Sequence, residues 1–274
     1  MATTTIADPL ERIEEHSSRV VRGAKDQRTG RDGQERFYTY YDTQGNEHVL
    51  PSVTTVLQVL AKPALIGWST KTALEKAQRE IQALQLGELG EDWLEKICKS
   101  ASRYPDEVAS TSALFGTRAH DYLSLLLCSD EDKGLMPAPA DDLRPVVDGF
   151  LKWQDSVDIE ICLTEVAVAN PSAGYAGTID AIGLDRETRK LVVLDWKTGN
   201  SIWPEAALQA AAYAGAVSEI VFEPVDSWVV RFLRDRPGHE TKEVNSYAAL
   251  EAFISANDTW KSMRSKKSLW KTEG

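Results

Sequence analysis

The run Tyr175-Ala-Gly-Thr-Ile-Asp180-Ala-Ile-Gly-Leu184, the charged turn Asp185-Arg-Glu-Thr-Arg-Lys190, and Leu191-Val-Val-Leu-Asp195-Trp-Lys197-Thr-Gly199 decide the reading of this chain. Two strand patterns joined by a short polar turn predict a β-hairpin. The second strand is apolar from Leu191 to Leu194 and then presents Asp195 and Lys197. These two are two residues apart and project from the same strand face. Burying a carboxylate and an ammonium is costly unless they are paired or bind a metal, so this strand ends in a site. Asp180 lies on the neighbouring strand of the same hairpin. Carboxylates brought together repel, and a divalent cation is the common remedy. An edge salt bridge between Asp195 and Lys197, with Asp180 solvated, fits the same spacing.

Working outward, Leu163–Ala169 alternates like a strand before the hairpin. After it come an alanine-rich helix (Pro204–Ser218), a strand (Ser227–Arg234) and a closing helix (Ser246–Met263). Between residues 64 and 158 the apolar spacing is helical, over Ala64–Leu86, Asp92–Ser100, Glu107–Cys128 and Asp141–Val157. Pro145 falls in the first turn of the last of these, where proline is tolerated. Nearer the N-terminus, Arg36–Tyr41 and Glu47–Leu50 flank Asp42-Thr-Gln-Gly-Asn46 as a second hairpin. Ser52 or Thr54 is positioned to cap a following helix, and Pro9–Val21 reads as a short helix. The expected class is α/β. The expected organisation is a polar extension (1–35), one domain (36–260, with a hairpin and helical section over 36–158 and an α/β core over 159–260), and a basic tail (261–274).

The 274 residues are 42% hydrophobic and 27% charged, which excludes collagen-like, coiled-coil and wholly disordered classes. No apolar run approaches the ~20 residues of a membrane span, and residues 1–13 lack the apolar core of a secretory signal. The expectation is a soluble, cytoplasmic protein with no membrane partner. A net charge of −11 argues against coating nucleic acid through overall charge, though not against a local basic groove. Cys98, Cys128 and Cys162 are scattered, with no CxxC pair for zinc or an iron–sulfur cluster. No GxxxxGK[ST] loop is present to bind ATP.

Two further features flank the hairpin. His120 stands one helical turn after Gly116 in Phe115-Gly-Thr-Arg-Ala-His120, where it reads either as a ligand or as an ordinary helix residue. Gln209 and Tyr213 are i and i+4 on the alanine-rich helix. An amide and a phenol on one face suit contacts to a substrate backbone, and a helix-packing pair suits them equally.

Gly116-Thr-Arg-Ala-His120, Gly177-Thr-Ile-Asp180, Asp195-Trp-Lys197-Thr-Gly199 and Gln209-x-x-x-Tyr213, in this order, resemble the RecB-type branch of the PD-(D/E)XK nuclease superfamily. The pattern is similar to Cas4-like and phage-encoded exonucleases. Leu50-Pro-Ser-Val-Thr-Thr-Val-Leu57 resembles the leading segment of the mitochondrial genome-maintenance exonuclease, and the likeness runs from about residue 50 to about 235. It implies a restriction-endonuclease-like mixed sheet flanked by helices. It also implies a divalent-metal-dependent deoxyribonuclease that hydrolyses phosphodiesters at single-stranded DNA ends by metal-activated water.

Carried over residue by residue, the resemblance makes Asp180 and Asp195 ligands of Mg²⁺ or Mn²⁺ and His120 a further ligand. The Trp196 backbone carbonyl completes the shell, and Lys197 is the catalytic lysine. Gln209 and Tyr213 contact DNA or order the site, Arg118 contacts DNA, and Glu165 on the first core strand joins the site as a ligand or beside one. A nitrogen ligand inclines such a site toward Mn²⁺. Trp68, Lys71, Trp196, Trp203 and the basic tail with Trp260 and Trp270 are candidates for tracking and stacking a single strand, although core packing suits most of the tryptophans and a solvated extension suits the tail. No cysteine follows Cys162, so the four-cysteine cluster of some members cannot form and the likeness is to the cluster-free exonucleases. The same resemblance leaves open a structure-specific endonuclease, a nuclease subunit working with recombination or repair proteins, and a non-catalytic DNA-binding protein. It suggests a bacterial or phage-infected cell.

Overall fold

The hairpin expected from Tyr175 to Lys197 forms the middle of a five-stranded mixed sheet. In the computed structural model, residues 8–23, 35–84, 92–127 and 137–265 are described. Cys128, Trp270 and the tail beyond residue 265 lie outside them. The sheet is ordered β4 (Ile159–Asn170), β5 (Tyr175–Asp185), β6 (Leu191–Lys197), β7 (Asp226–Phe232), β8 (His239–Glu243). Its pairs are antiparallel except β6 with β7, which run parallel through helix α6 (Pro204–Val221).

A smaller antiparallel sheet is built from β1 (Val20–Arg22), β2 (Phe37–Tyr41) and β3 (Glu47–Pro51). The turn between β2 and β3 is set by Asp42, whose Oδ1 accepts the Gln44 and Asn46 N–H groups at 2.9 and 2.8 Å, and by Gly45 at φ +83°. Tyr38, Tyr40 and Leu50 of this sheet pack on Ala169 and Ala176 of β4 and β5. Ser52 caps the short helix α2 (Val53–Val56) by accepting the Thr55 N–H at 3.0 Å, and it bridges Ala176 of β5.

Two layers cover the central sheet. On one face, Phe150 and Trp153 of α5 (Arg144–Ser156) pack edge-on against Trp196 and Phe232, with ring centroids 5.1–6.4 Å apart. The other face carries α6, whose alanines Ala206 and Ala210 pack on Val229 of β7. Alanine favours the helix and keeps it thin, and the Tyr175 hydroxyl donates to Ala212 O at 2.9 Å. Helix α7 (Ser246–Arg264) packs on α6 with Leu250 against Gly215, and α1 (Pro9–Ser18) packs on β4 and α6.

The chain divides into two compact units, Leu60–Arg118 and the remainder. The first comprises α3 (Pro63–Ala83) and most of α4 (Trp93–Leu126). Inside it, Ser100 donates to Glu80 at 2.8 Å, and the Tyr104 ring lies under Lys76 and Arg79.

The elements depart from expectation in four places. The patterns Asp92–Ser100 and Glu107–Cys128 are one helix carried through Pro105, which removes one backbone donor while both flanks stay helical. The first helix ends at Ser18 rather than Val21, because Val20 and Val21 pair with β2 as β1. Strand β8 had no sequence reading. β1 is three residues long, and β8 (HETKE) is polar along its whole length, as an edge strand can be. β4 begins at Ile159 rather than Leu163, because a bulge at Cys162 interrupts the alternation. Among the described residues no helix is long and apolar enough to cross a membrane.

Candidate metal centre

The β5–β6 ladder stops at Ala181 paired with Leu194, at the level where Asp180 and Asp195 follow. The strands part there, and the Trp196 N–H donates to Asp180 Oδ2 at 2.7 Å instead of to a strand backbone. In an extended strand a residue's N–H and C=O point to the same side, which puts the Trp196 carbonyl on the β5 side of β6. Asp180 Oδ1 lies 3.0 Å from His120 Nδ1, on the last turns of α4.

On β4, Glu165 falls between the pairs Thr164–Ala181 and Val166–Ile179, opposite Asp180, and its φ of +51° is left-handed. That conformation costs a non-glycine residue about 1–2 kcal/mol, and it occurs at the row where the carboxylates gather. Ligand atoms of His120, Glu165 and Asp180 all lie within 4.8 Å of one another. The donors around an octahedral Mg²⁺ are spaced by about 3–4.2 Å, so these three can hold a metal ion. Asp195 falls outside this 4.8 Å grouping.

Asp195 is 1% exposed, and its Oδ1 has no hydrogen-bond partner among the described residues. Its Oδ2 lies 2.5 Å from Lys197 Nζ, so the two project from one face. Lys197 Nζ in turn donates to Gln209 Oε1 at 3.5 Å, and Gln209 Nε2 donates to the Tyr213 hydroxyl at 3.3 Å. The Asp195–Lys197 ion pair therefore forms and continues into a part-buried chain of contacts, while Asp180 is bonded to His120 and the Trp196 N–H rather than solvated. A buried carboxylate oxygen with no partner is unstable on its own, and a divalent cation would satisfy it.

The electrostatics follow from the same contacts. Burial pushes the Asp195 carboxyl up to about 6, against the pull of Lys197. Burial would also raise Asp180, but the charge and hydrogen bond of His120 outweigh it and hold Asp180 below the usual carboxylate range. For His120, burial favours the neutral ring and Asp180 overcomes it, so its pKa lies above the ordinary value. Burial and the Asp180 charge raise Glu165. Crowded acids with opposed shifts characterise sites that bind cations or move protons.

The remaining site residues are placed as follows. Tyr213 is 4% exposed, and burial raises its phenol well above the usual value. Its ring lies against Gly177, so a methyl there would meet Tyr213 Cε1 at 2.5 Å. Gly177→Ala is expected to cost about 1–3 kcal/mol and to lower the thermal midpoint by several degrees. A wild-type midpoint would show that the ring moves aside freely.

Arg118 is exposed on α4 in the helical unit, two residues before His120 and so not on the same helix side. Trp68 and Trp203 are 39% and 54% exposed. Trp196 offers no side chain for stacking: it is 2% exposed because it fills the aromatic layer under α5. Trp260 is half-buried against Phe37 and the Arg264 guanidinium. The start of the basic tail is helical, with Lys261 bonded to Ala173 O and Arg264 ion-paired to Glu35. Tyr38 had no sequence reading, yet its hydroxyl lies 2.9 Å from Thr178 Oγ1, two residues before Asp180. Only its place in the aromatic run of β2 could have pointed to it.

The fold and site define an α/β protein whose central sheet carries a candidate metal centre where two strands part. No family model matches the chain, and no curated protein matches it. Among solved structures, the crystal structure of SSO0001 aligns with 72% of this chain and 87% of its own at 13% identity, with a TM-score of 0.33. Agreement that low carries no argument about this protein.

Proposed function

We propose that the chain is a divalent-metal-dependent DNA exonuclease acting on single-stranded ends. The observation that carries the reading is the buried Asp195, paired with Lys197 and unsatisfied at Oδ1, beside the His120, Glu165 and Asp180 donors. The order of the four motifs supports DNA as the substrate. His120, Glu165 and Asp180 would hold Mg²⁺ or Mn²⁺, with the unpaired Asp195 Oδ1 and the Trp196 carbonyl beside them; the imidazole favours Mn²⁺. When bound, such an ion supplies Lewis-acid polarisation of a phosphoryl oxygen and lowers the pKa of water.

The chain's own residues supply the rest. Asp195 and Gln209 fix Lys197 Nζ from two sides, so its ammonium is positioned before substrate arrives. There it offsets negative charge gathering on the phosphoryl group during water attack, and its N–H groups can orient that water. Tyr213 holds Gln209 and thereby the lysine. No iron–sulfur cluster and no ATP enter this reading. Its setting is the cytoplasm of a bacterial or phage-infected cell, in DNA repair, recombination, replication or phage DNA metabolism.

The test is incubation of 5′- and 3′-labelled linear DNA, single- and double-stranded, beside a circular single strand, in Mg²⁺, Mn²⁺ or EDTA. Loss of linear single strands with circles spared, only with metal, is the expected result. Cut circles would make the protein an endonuclease. A folded protein that binds DNA and cuts nothing would overturn the reading in favour of an accessory DNA-binding role.

A further inference from the structure

The loop that follows Lys197 is held by two arginines of β7 and its continuation. Arg234 Nε donates to Thr198 O at 2.5 Å, and its Nη2 lies 3.4 Å from Thr198 Oγ1. Arg231 Nη1 donates to Gly199 O and Asn200 O at 3.3 and 2.8 Å. Three consecutive carbonyls are thus gathered by two guanidinium groups. Arg231 is itself fixed from β8, where Glu240 Oε2 accepts its Nε at 3.0 Å and pairs with Nη2 at 2.9 Å. In the parallel ladder Arg231 stands directly beside Lys197.

This loop joins Lys197 to α6, which carries Gln209 and Tyr213. Its carbonyls therefore fix how far the lysine sits from the amide that holds it. Backbone carbonyls in a turn between strand and helix have no ladder partners of their own. Guanidinium is suited to the task because it is planar, always charged and forked, so one group can take two acceptors at fixed geometry. A lysine in its place could supply charge but not the fork.

We propose that Arg231 and Arg234 form a clamp that positions Lys197, and that they are positioning residues for the reaction rather than groups that touch substrate. The proposal rests on the reading of Lys197 given above, and it adds the device that sets that lysine's place.

The experiment uses the full chain with [¹³C]lysine labelling, in wild type, Arg234→Ala, Arg234→Lys and Arg231→Lys. The Lys197 side-chain resonance is assigned by its loss in Lys197→Arg. Four quantities are read on each preparation: thermal midpoint, the Lys197 ¹³Cε resonance, and kcat and KM on linear single-stranded DNA with Mn²⁺. For Arg234→Ala a displaced resonance and a kcat lower by about 10- to 100-fold at near-constant KM are expected. Guanidinium ion added at millimolar concentration should restore part of the rate to Arg234→Ala and none to Lys197→Arg. Arg234→Lys and Arg231→Lys should show intermediate losses while melting close to wild type. An unmoved Lys197 resonance with kcat unchanged, or a rate loss matched entirely by loss of folded protein, would overturn the clamp. Wild type that fails to cut DNA, with a resonance that still moves in Arg234→Ala, would defeat the functional reading and leave the clamp standing.

Discussion

Asp180→Asn is expected to lower Mn²⁺ affinity by at least about 100-fold while the protein remains folded. The carboxylate is used on both oxygens, toward His120 Nδ1 and from the Trp196 N–H. Asparagine retains an oxygen to accept the Trp196 N–H but loses the charge that a hard cation requires. Alanine would also leave that backbone N–H without its acceptor, at a cost of about 1–3 kcal/mol, which is why asparagine is the cleaner variant. The loss of a ligand should exceed the 10- to 100-fold typical of outer-shell changes. Titration calorimetry with Mn²⁺ on both proteins measures it. Equal affinities would mean that the His120–Glu165–Asp180 group is not where the ion sits.

Under the proposed function, Lys197→Ala should lower the single-turnover cleavage rate at least about a thousandfold, roughly 4 kcal/mol of transition-state stabilisation. The same change strips Asp195 of its ion-pair partner. A buried carboxylate left alone would be costly, but burial already pushes Asp195 up to about 6, so it responds by taking up a proton at neutral pH. Stability is therefore expected to fall by only a few degrees in thermal midpoint, and Mn²⁺ should still bind through the neighbouring group. Rate loss with retained folding and metal binding separates a catalytic lysine from a structural one.

How much of this was legible in sequence depended on whether the informative contact was local. The hairpin and its Asp195–Lys197 pair were readable because a buried strand that ends in charge is anomalous within seven residues. His120 and Asp180 are 60 residues apart and meet only through tertiary packing, so spacing alone left the histidine as ligand or bystander. Sequence leaves Glu165 as a ligand or a neighbour of one because its place depends on a left-handed backbone that an ordinary glutamate gives no sign of. Strand β8 was invisible because an edge strand of alternating polar residues carries no hydrophobic period. The arginine clamp was invisible for a different reason. Its acceptors are backbone carbonyls, which have no identity in a sequence. Trp196 reads in sequence as either a stacking or a core residue, and strand alternation sends its side chain to the face opposite Asp195 and Lys197, into the aromatic layer.

The most direct test of the account is the fate of end-labelled linear single-stranded DNA in Mn²⁺ and in EDTA, with wild type and Lys197→Ala purified side by side. The account predicts degradation by wild type in Mn²⁺ alone, with none in EDTA and none by the variant. Degradation that survives EDTA, or that the Lys197→Ala protein matches, would contradict it.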